Sequence, residues 1–157
     1  MHVRELARRL KISPQTANHY LKFYEKGNVL RKRKQGNLLL YSLNNNCLTK
    51  QLKIFYITDV LFEFSKRFVK ENNITCLVLY GSHAFGTYDE SSDIDLLIIS
   101  QQKNLKLDEI KDLERKIGKE VKMQIFSLGE WRRLKRKKDS FAQSVLSNHI
   151  LLYGAEI

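Results

Sequence analysis

The sequence predicts a mixed α/β (α+β) chain: an N-terminal module of helices and one β-hairpin, then a long helix, then a small domain with a mixed sheet. Three observations carry this. Apolar residues recur at helical spacing near the start of the 157 residues and again over 107–117, with short β-prone runs between and after them. Cap and turn residues punctuate these runs at Ser13-Pro14, Gly27-Asn28, Gln35-Gly36-Asn37 and Asn44-Asn45-Asn46. Charge divides the chain as well: residues 1–45 hold ten Lys+Arg against two Asp+Glu, whereas residues 76–130 hold seven against ten. The expected organisation is a basic module over 1–45, a connecting helix over 46–72 and a second domain over 73–157.

Each element follows from its residues. Val3, Leu6, Ala7 and Leu10 line one face of a short amphipathic helix. Ser13 before Pro14 joins a preferred N-cap to the residue best suited to the first helical position, so a second helix starts there and stops at Gly27-Asn28. Ala17, Tyr20, Leu21 and Tyr24 are expected on its apolar side, and Gln15, Thr16, Asn18, His19 and Lys22 on its outer side. Val29 to Lys34 and Leu38 to Leu43 read as a hairpin that carries the basic tetrad Arg31, Lys32, Arg33 and Lys34. Leu48, Leu52, Phe55, Val60, Leu61 and Phe64 give the connecting helix so much apolar surface that a homodimer is the expected cover. Ile74 to Tyr80 is a buried strand ending at Gly81-Ser82, and Asp93 and Asp95 open a second. A helix over Leu107 to Ile117 and a third strand over Glu120 to Phe126 follow, and Trp131 begins a basic helix expected to continue through Phe141, Val145 and Leu146.

Composition narrows the function. No apolar run approaches the ~18–20 residues that span a bilayer. The start, MHVRELARRL, is charged, unlike a signal peptide, so the expectation is a soluble cytoplasmic protein with no membrane partner. Cys47 and Cys76 lack metal-ligand spacing and are expected as free thiols. The net charge of +11, concentrated at the front, favours a polyanionic partner, because clustered Lys and Arg gain by releasing phosphate counterions.

The chemistry concentrates around Gly81-Ser82 and Asp93-x-Asp95. Side chains alternate along a strand, so Asp93 and Asp95 project from one face and Ile94 and Leu96 from the other. Two carboxylates that close are unfavourable unless a cation neutralises them, and two oxygen ligands plus substrate phosphates are a common way to hold Mg²⁺, with Mn²⁺ as an alternative. Gly81 lets backbone approach a phosphate, and Ser82 offers N–H and hydroxyl donors. His83 follows them, as a phosphate contact or as a structural residue.

Two resemblances follow from these residues. Helix, turn, helix and basic hairpin over RELARRLKISPQTANHYLKFYEKGNVLRKRKQGNLLLYSLN resemble the last two helices and wing of the winged helix-turn-helix family. That implies a helix from Pro14 in the DNA major groove through Gln15, Thr16, Asn18, His19 and Lys22, and Arg31 to Lys34 on phosphate or in the minor groove, with RNA as an alternative ligand. The usual first helix of that core is not seen, so the expectation is either a truncated start or another segment or a second subunit that covers the exposed face. Gly81-Ser82, a ten-residue gap, Asp93-x-Asp95 and the apolar LLIIS resemble the DNA polymerase beta-type nucleotidyltransferases, in particular their minimal branch.

The second resemblance implies transfer of a nucleoside monophosphate from a nucleoside triphosphate to a hydroxyl. Asp93 and Asp95 would be catalytic metal ligands, and Gly81 and Ser82 would grip the triphosphate. It also implies a toxin-type helical partner as one alternative, since minimal nucleotidyltransferases often serve as antitoxins. Family members add a third carboxylate on the next core strand. Lys122 stands at that position, or Gln124 if the register slips by two, with Glu120 on the same strand face as a substitute. Two readings therefore stay open: a working transferase, or a DNA-binding regulator whose transferase-like domain is degenerate.

Overall fold

The computed structural model describes residues 1–102 and 104–157. They form two compact units, Met1–Lys50 and Gln51–Ile157. The first contains α1 (Val3–Leu10), α2 (Pro14–Lys26) and the antiparallel pair β1 (Leu30–Gln35) and β2 (Leu38–Leu43). Ser13 caps α2: its hydroxyl accepts from the Thr16 N–H at 3.0 Å, and Pro14 occupies the first turn, where a missing N–H costs nothing. The core of this unit is small, built on Ala7, Ala17, Leu21 and Tyr41. Tyr20 and Tyr24, expected on the apolar side of α2, are 49% and 44% exposed. Ala17 and Leu21, four apart, fill the narrow stripe the unit can cover, and the two tyrosines lie beside it.

Helix α3 (Cys47–Asn72) crosses from the first unit into the second. The second unit adds β3 (Cys76–Tyr80), α4 (Gly81–Ala84), β4 (Ile94–Ile99), α5 (Asp108–Ile117), β5 (Val121–Phe126), α6 (Leu128–Arg136), α7 (Ser140–Ser147) and β6 (Ile150–Tyr153). The sheet order is β5-β4-β3-β6, with β4 and β5 parallel and the other neighbours antiparallel. Alternation sorts the strand residues onto two faces. Leu77, Leu79, Ile94, Leu96 and Ile98 pack under α3 and α5 with Leu61, Phe64, Phe68, Ile110 and Leu113. Cys76, Val78, Leu97 and Ile99 face Trp131, Ala142 and Val145 of α6 and α7. Both faces are covered, which is why these strands read as nearly continuous apolar runs.

Two expectations are corrected. Leu61 and Phe64 do not offer surface to a second subunit, because they are core residues of the sheet, and Val60 packs against the same cluster. Leu48, Leu52 and Phe55 are exposed as expected. The basic helix from Trp131 is two helices, not one. Ser127 and Glu130 form a capping box that starts α6 before Trp131; Lys138 then adopts a left-handed φ of 53°, and the Asp139 carboxylate caps α7 through the Phe141 and Ala142 N–H groups.

Candidate active site

The sheet face that packs against α6 and α7 carries polar residues at its other end. Tyr80 at the end of β3, Asp93 just before β4, Asp95 in β4 and Lys122 in β5 share this face by strand alternation. The backbone ladders set Tyr80 and Lys122 on either side of Asp95 as its direct partners. Asp93 and Asp95 are half-buried.

Gly81 joins this row to the following turn. Its φ of +70° lies in the left-handed region, and a Cβ there would overlap the Asp95 carboxylate, coming 3.2 Å from its Cγ. Only glycine permits both the conformation and that approach. Ser82 is half-buried, and its carbonyl accepts the Thr87 N–H at 3.0 Å, which closes the turn after α4. The first N–H groups of a helix have no intrahelical carbonyl, so those at the start of α4 are available as donors. Phe85, which closes α4, is 49% exposed.

The loop into β4 is held from below. Lys119 Nζ donates to the carbonyls of Asp89, Glu90 and Ser92 at 2.7, 3.1 and 2.9 Å. The Asp89 carboxylate accepts from the Ser91 N–H and from the hydroxyls of Ser91 and Ser92, which holds it below the usual carboxylate range. No sequence pattern marks Lys119, because its three acceptors lie about thirty residues away in the chain.

Electrostatics separates the two aspartates. Burial raises the Asp95 pKa, the Lys122 charge opposes that shift, and Asp93 adds to it. Asp93 instead holds Lys122: Oδ2 lies 2.6 Å from Nζ, and this hydrogen-bonded pairing raises the lysine pKa. Burial, reinforced by Asp95, pushes the Tyr80 phenol up to about 12, so it is neutral at pH 7. His83 offers no accessible surface at the site. It is fully buried, stacked on Tyr88 with centroids 4.1 Å apart, and its ring nitrogens have no hydrogen-bond partner among the described residues. Burial, with the Lys119 charge adding to it and Asp93 opposing it, lowers the His83 pKa to about 4.

A divalent ion would find four carboxylate oxygens here, one of them engaged by Lys122. Among the described residues no group of three or more His, Cys, Asp or Glu is placed to hold a metal. The donor set therefore fits one octahedral ion that takes its other ligands from phosphate and water, and does not fit a three-carboxylate arrangement for two. The register leaves no slip by two: Lys122, not Gln124, stands beside Asp95, and Gln124 pairs with Leu97.

In the first unit, Gln15, Thr16, His19 and Lys22 are exposed and Asn18 half-buried on α2. The Thr16 hydroxyl lies 2.8 Å from the Ser13 hydroxyl. Arg31 to Lys34 do not form one patch. Arg31 and Arg33 share a hairpin face with their partners Ser42 and Leu40, whereas Lys32 and Lys34 share the other with Tyr41 and Leu39. Tyr41 is buried while Lys32 and Lys34 stay exposed, and Lys32 pairs with Glu25 of α2 at 2.6 Å.

The model of the family "Polymerase beta, Nucleotidyltransferase" matches residues 63–156. Similar solved structures include a toxin-antitoxin with AMP-PNP, 16% identical over 63% of this chain and 74% of that chain, with a TM-score of 0.44. A mutant of the toxin-antitoxin MntA-HpeT is 14% identical over 63% and 74% of the two chains, at 0.44. A candidate nucleotidyltransferase from Sulfolobus solfataricus is 18% identical over 70% and 91%, at 0.43. No curated protein matches the chain.

Proposed function

We propose, from the premise that this chain belongs to the polymerase beta nucleotidyltransferase family, that it transfers a nucleoside monophosphate from a nucleoside triphosphate to a hydroxyl acceptor. The observation that supports this most is the contact of Gly81 with the Asp95 carboxylate, which makes the phosphate-binding turn and the acidic pair one site. Asp93 and Asp95 are the residues that would hold a divalent ion, Mg²⁺ or Mn²⁺. Once bound, such an ion screens phosphate charge and stabilises the leaving oxygen. Gly81 and Ser82 bring backbone and hydroxyl donors to the triphosphate tail. The acceptor oxygen bonds to the α-phosphorus as the α–β bridging bond breaks and pyrophosphate leaves. Lys122 is a cation and Tyr80 a neutral phenol, so neither takes the hydroxyl proton, which passes to water. Catalysis rests on positioning and charge.

The test is label transfer. The intact chain with labelled nucleoside triphosphates, Mg²⁺, and protein or nucleic-acid acceptors should transfer label, and Asp93→Ala with Asp95→Ala should abolish it. No transfer to any acceptor would leave the second reading, which the Lys122–Asp93 ion pair favours: a regulator whose nucleotide site senses without turnover.

In either case the first unit is read as a winged helix that binds DNA, or alternatively RNA, through α2 and the outer face of the hairpin. The exposed side chains of Gln15, His19, Lys22, Arg31 and Arg33 support this, as does the net +8 of residues 1–45. A homodimer through Leu48, Leu52 and Phe55, and a toxin-type protein partner, complete the proposal; sedimentation and pull-down test them.

A further inference from the structure

We propose that Lys122 is the resident second cation of the site, so that this protein engages one divalent ion per nucleotide where a third carboxylate would call for two; this rests on the nucleotide reading above. The β4–β5 register fixes Lys122 directly beside Asp95, and its Nζ contacts Asp93 Oδ2 at 2.6 Å. Backbone hydrogen bonding between two strands whose alternate residues Ile94, Leu96 and Val121 are buried fixes the Lys122 backbone beside Asp95, and the Asp93 carboxylate holds its ammonium at the acidic pair.

Charge decides the number of ions. Three carboxylates at contact are costly until neutralised, and a pair of divalent ions does so. Here two carboxylates and one ammonium carry a net −1. Asp93 keeps Oδ1, Asp95 keeps both oxygens, and one ion can complete its octahedron with phosphate and water. A second ion on Asp93 would have to displace Nζ or lie against it, a repulsion between +2 and +1 at roughly 4 Å. Glu120 on the same strand face adds negative charge near Lys122, but among the described residues no third carboxylate joins Asp93 and Asp95 in a group placed to hold a metal. Glu120 lines a surface recess with Lys119, Glu114 and Arg115, and Gln124 is neutral and lies beside Leu97.

The experiment counts ions. The intact chain is saturated with nonhydrolysable analogues of ATP, GTP, CTP and UTP in turn and titrated with Mn²⁺, with the ion followed by electron paramagnetic resonance and bound nucleotide by equilibrium dialysis. The native chain should hold one Mn²⁺ per bound nucleotide, and Lys122→Asp should hold two. Lys122→Gln should hold one, about tenfold more tightly, because a like charge has been removed. Two Mn²⁺ per nucleotide in the native chain, or one in Lys122→Asp, overturns the proposal and leaves the nucleotide reading intact. Failure of the native chain to retain any analogue at any Mn²⁺ concentration overturns both. The Lys122 side chain is 54% exposed, so these variants should fold, which the fluorescence of the buried Trp131 verifies.

Discussion

Replacing Gly81 by alanine probes the contact on which the functional reading rests. Two costs are expected. The φ of +70° puts an L-residue in the left-handed region, at about 1–2 kcal/mol. The new Cβ also overlaps the Asp95 carboxylate, and relief by displacement costs a further ~1–3 kcal/mol. Gly118 serves as the control: its φ is +67°, and nothing lies within 4 Å of its added Cβ, so Gly118→Ala carries the first cost alone. The assay is urea unfolding followed by Trp131, the single tryptophan, which is buried in the second unit and therefore reports on that unit. Gly81→Ala should exceed Gly118→Ala by the overlap term. In an Asp95→Ala background the excess should vanish, giving a coupling energy of ~1–3 kcal/mol in the double-mutant cycle. Nucleotide affinity should fall with the single change. Equal costs for the two glycines, or an excess that survives removal of Asp95, would refute the reasoning.

Other outcomes follow from the same geometry. His83 has a folded pKa of about 4, below its unfolded 6.5, so the unfolded chain binds the extra proton between those values. Stability should be complete above about pH 6.5 and fall as pH drops toward 4, by up to ~3 kcal/mol at ~1.4 kcal/mol per unit, and His83→Phe should flatten that slope in the Trp131 unfolding assay. Asp95 has the opposite sign: burial raises its folded pKa, so ionisation at pH 7 destabilises the fold, and Asp95→Asn should raise the urea midpoint while losing nucleotide binding. Ser127→Ala removes the α6 capping box and should cost ~1 kcal/mol in the same assay. For a short duplex, Arg31→Ala with Arg33→Ala should weaken binding and reduce the slope of log affinity against log salt by about 2, whereas Lys32→Ala, already paired with Glu25, should change it less; anisotropy across a salt series measures both.

Local signals carried much of the fold. The Ser13-Pro14 start, the Gly36 turn and the apolar strand runs each depend on a few adjacent residues, and the common face of Asp93 and Asp95 needs only strand alternation. Longer-range features were not legible. Apolar spacing from Trp131 to Leu146 hides the break at Lys138, because both helices turn apolar residues toward the same sheet face. The role of Leu61 and Phe64 depends on which side of α3 the sheet occupies. Lys122 could be aligned beside the acids from sequence, but its pairing with Asp93 and that of Lys32 with Glu25 required the tertiary structure. The Lys119 clamp and the stacking of His83 on Tyr88 left no trace in spacing.

Strand β4 and the residue before it mix two kinds of residue on one side of the pleat: Asp93 and Asp95 lead, and Leu97 and Ile99 follow. A slip by one residue against β3 or β5 would exchange the pleat's two sides and drive both acids toward the Phe64 and Phe68 layer, while Leu96 and Ile98 moved out. Sinking two bare anions into hydrocarbon is prohibitive. The acidic pair thus acts as a proofreader of assembly: a misaligned sheet is rejected before it can persist, and the residues proposed for chemistry also help the strand find its place.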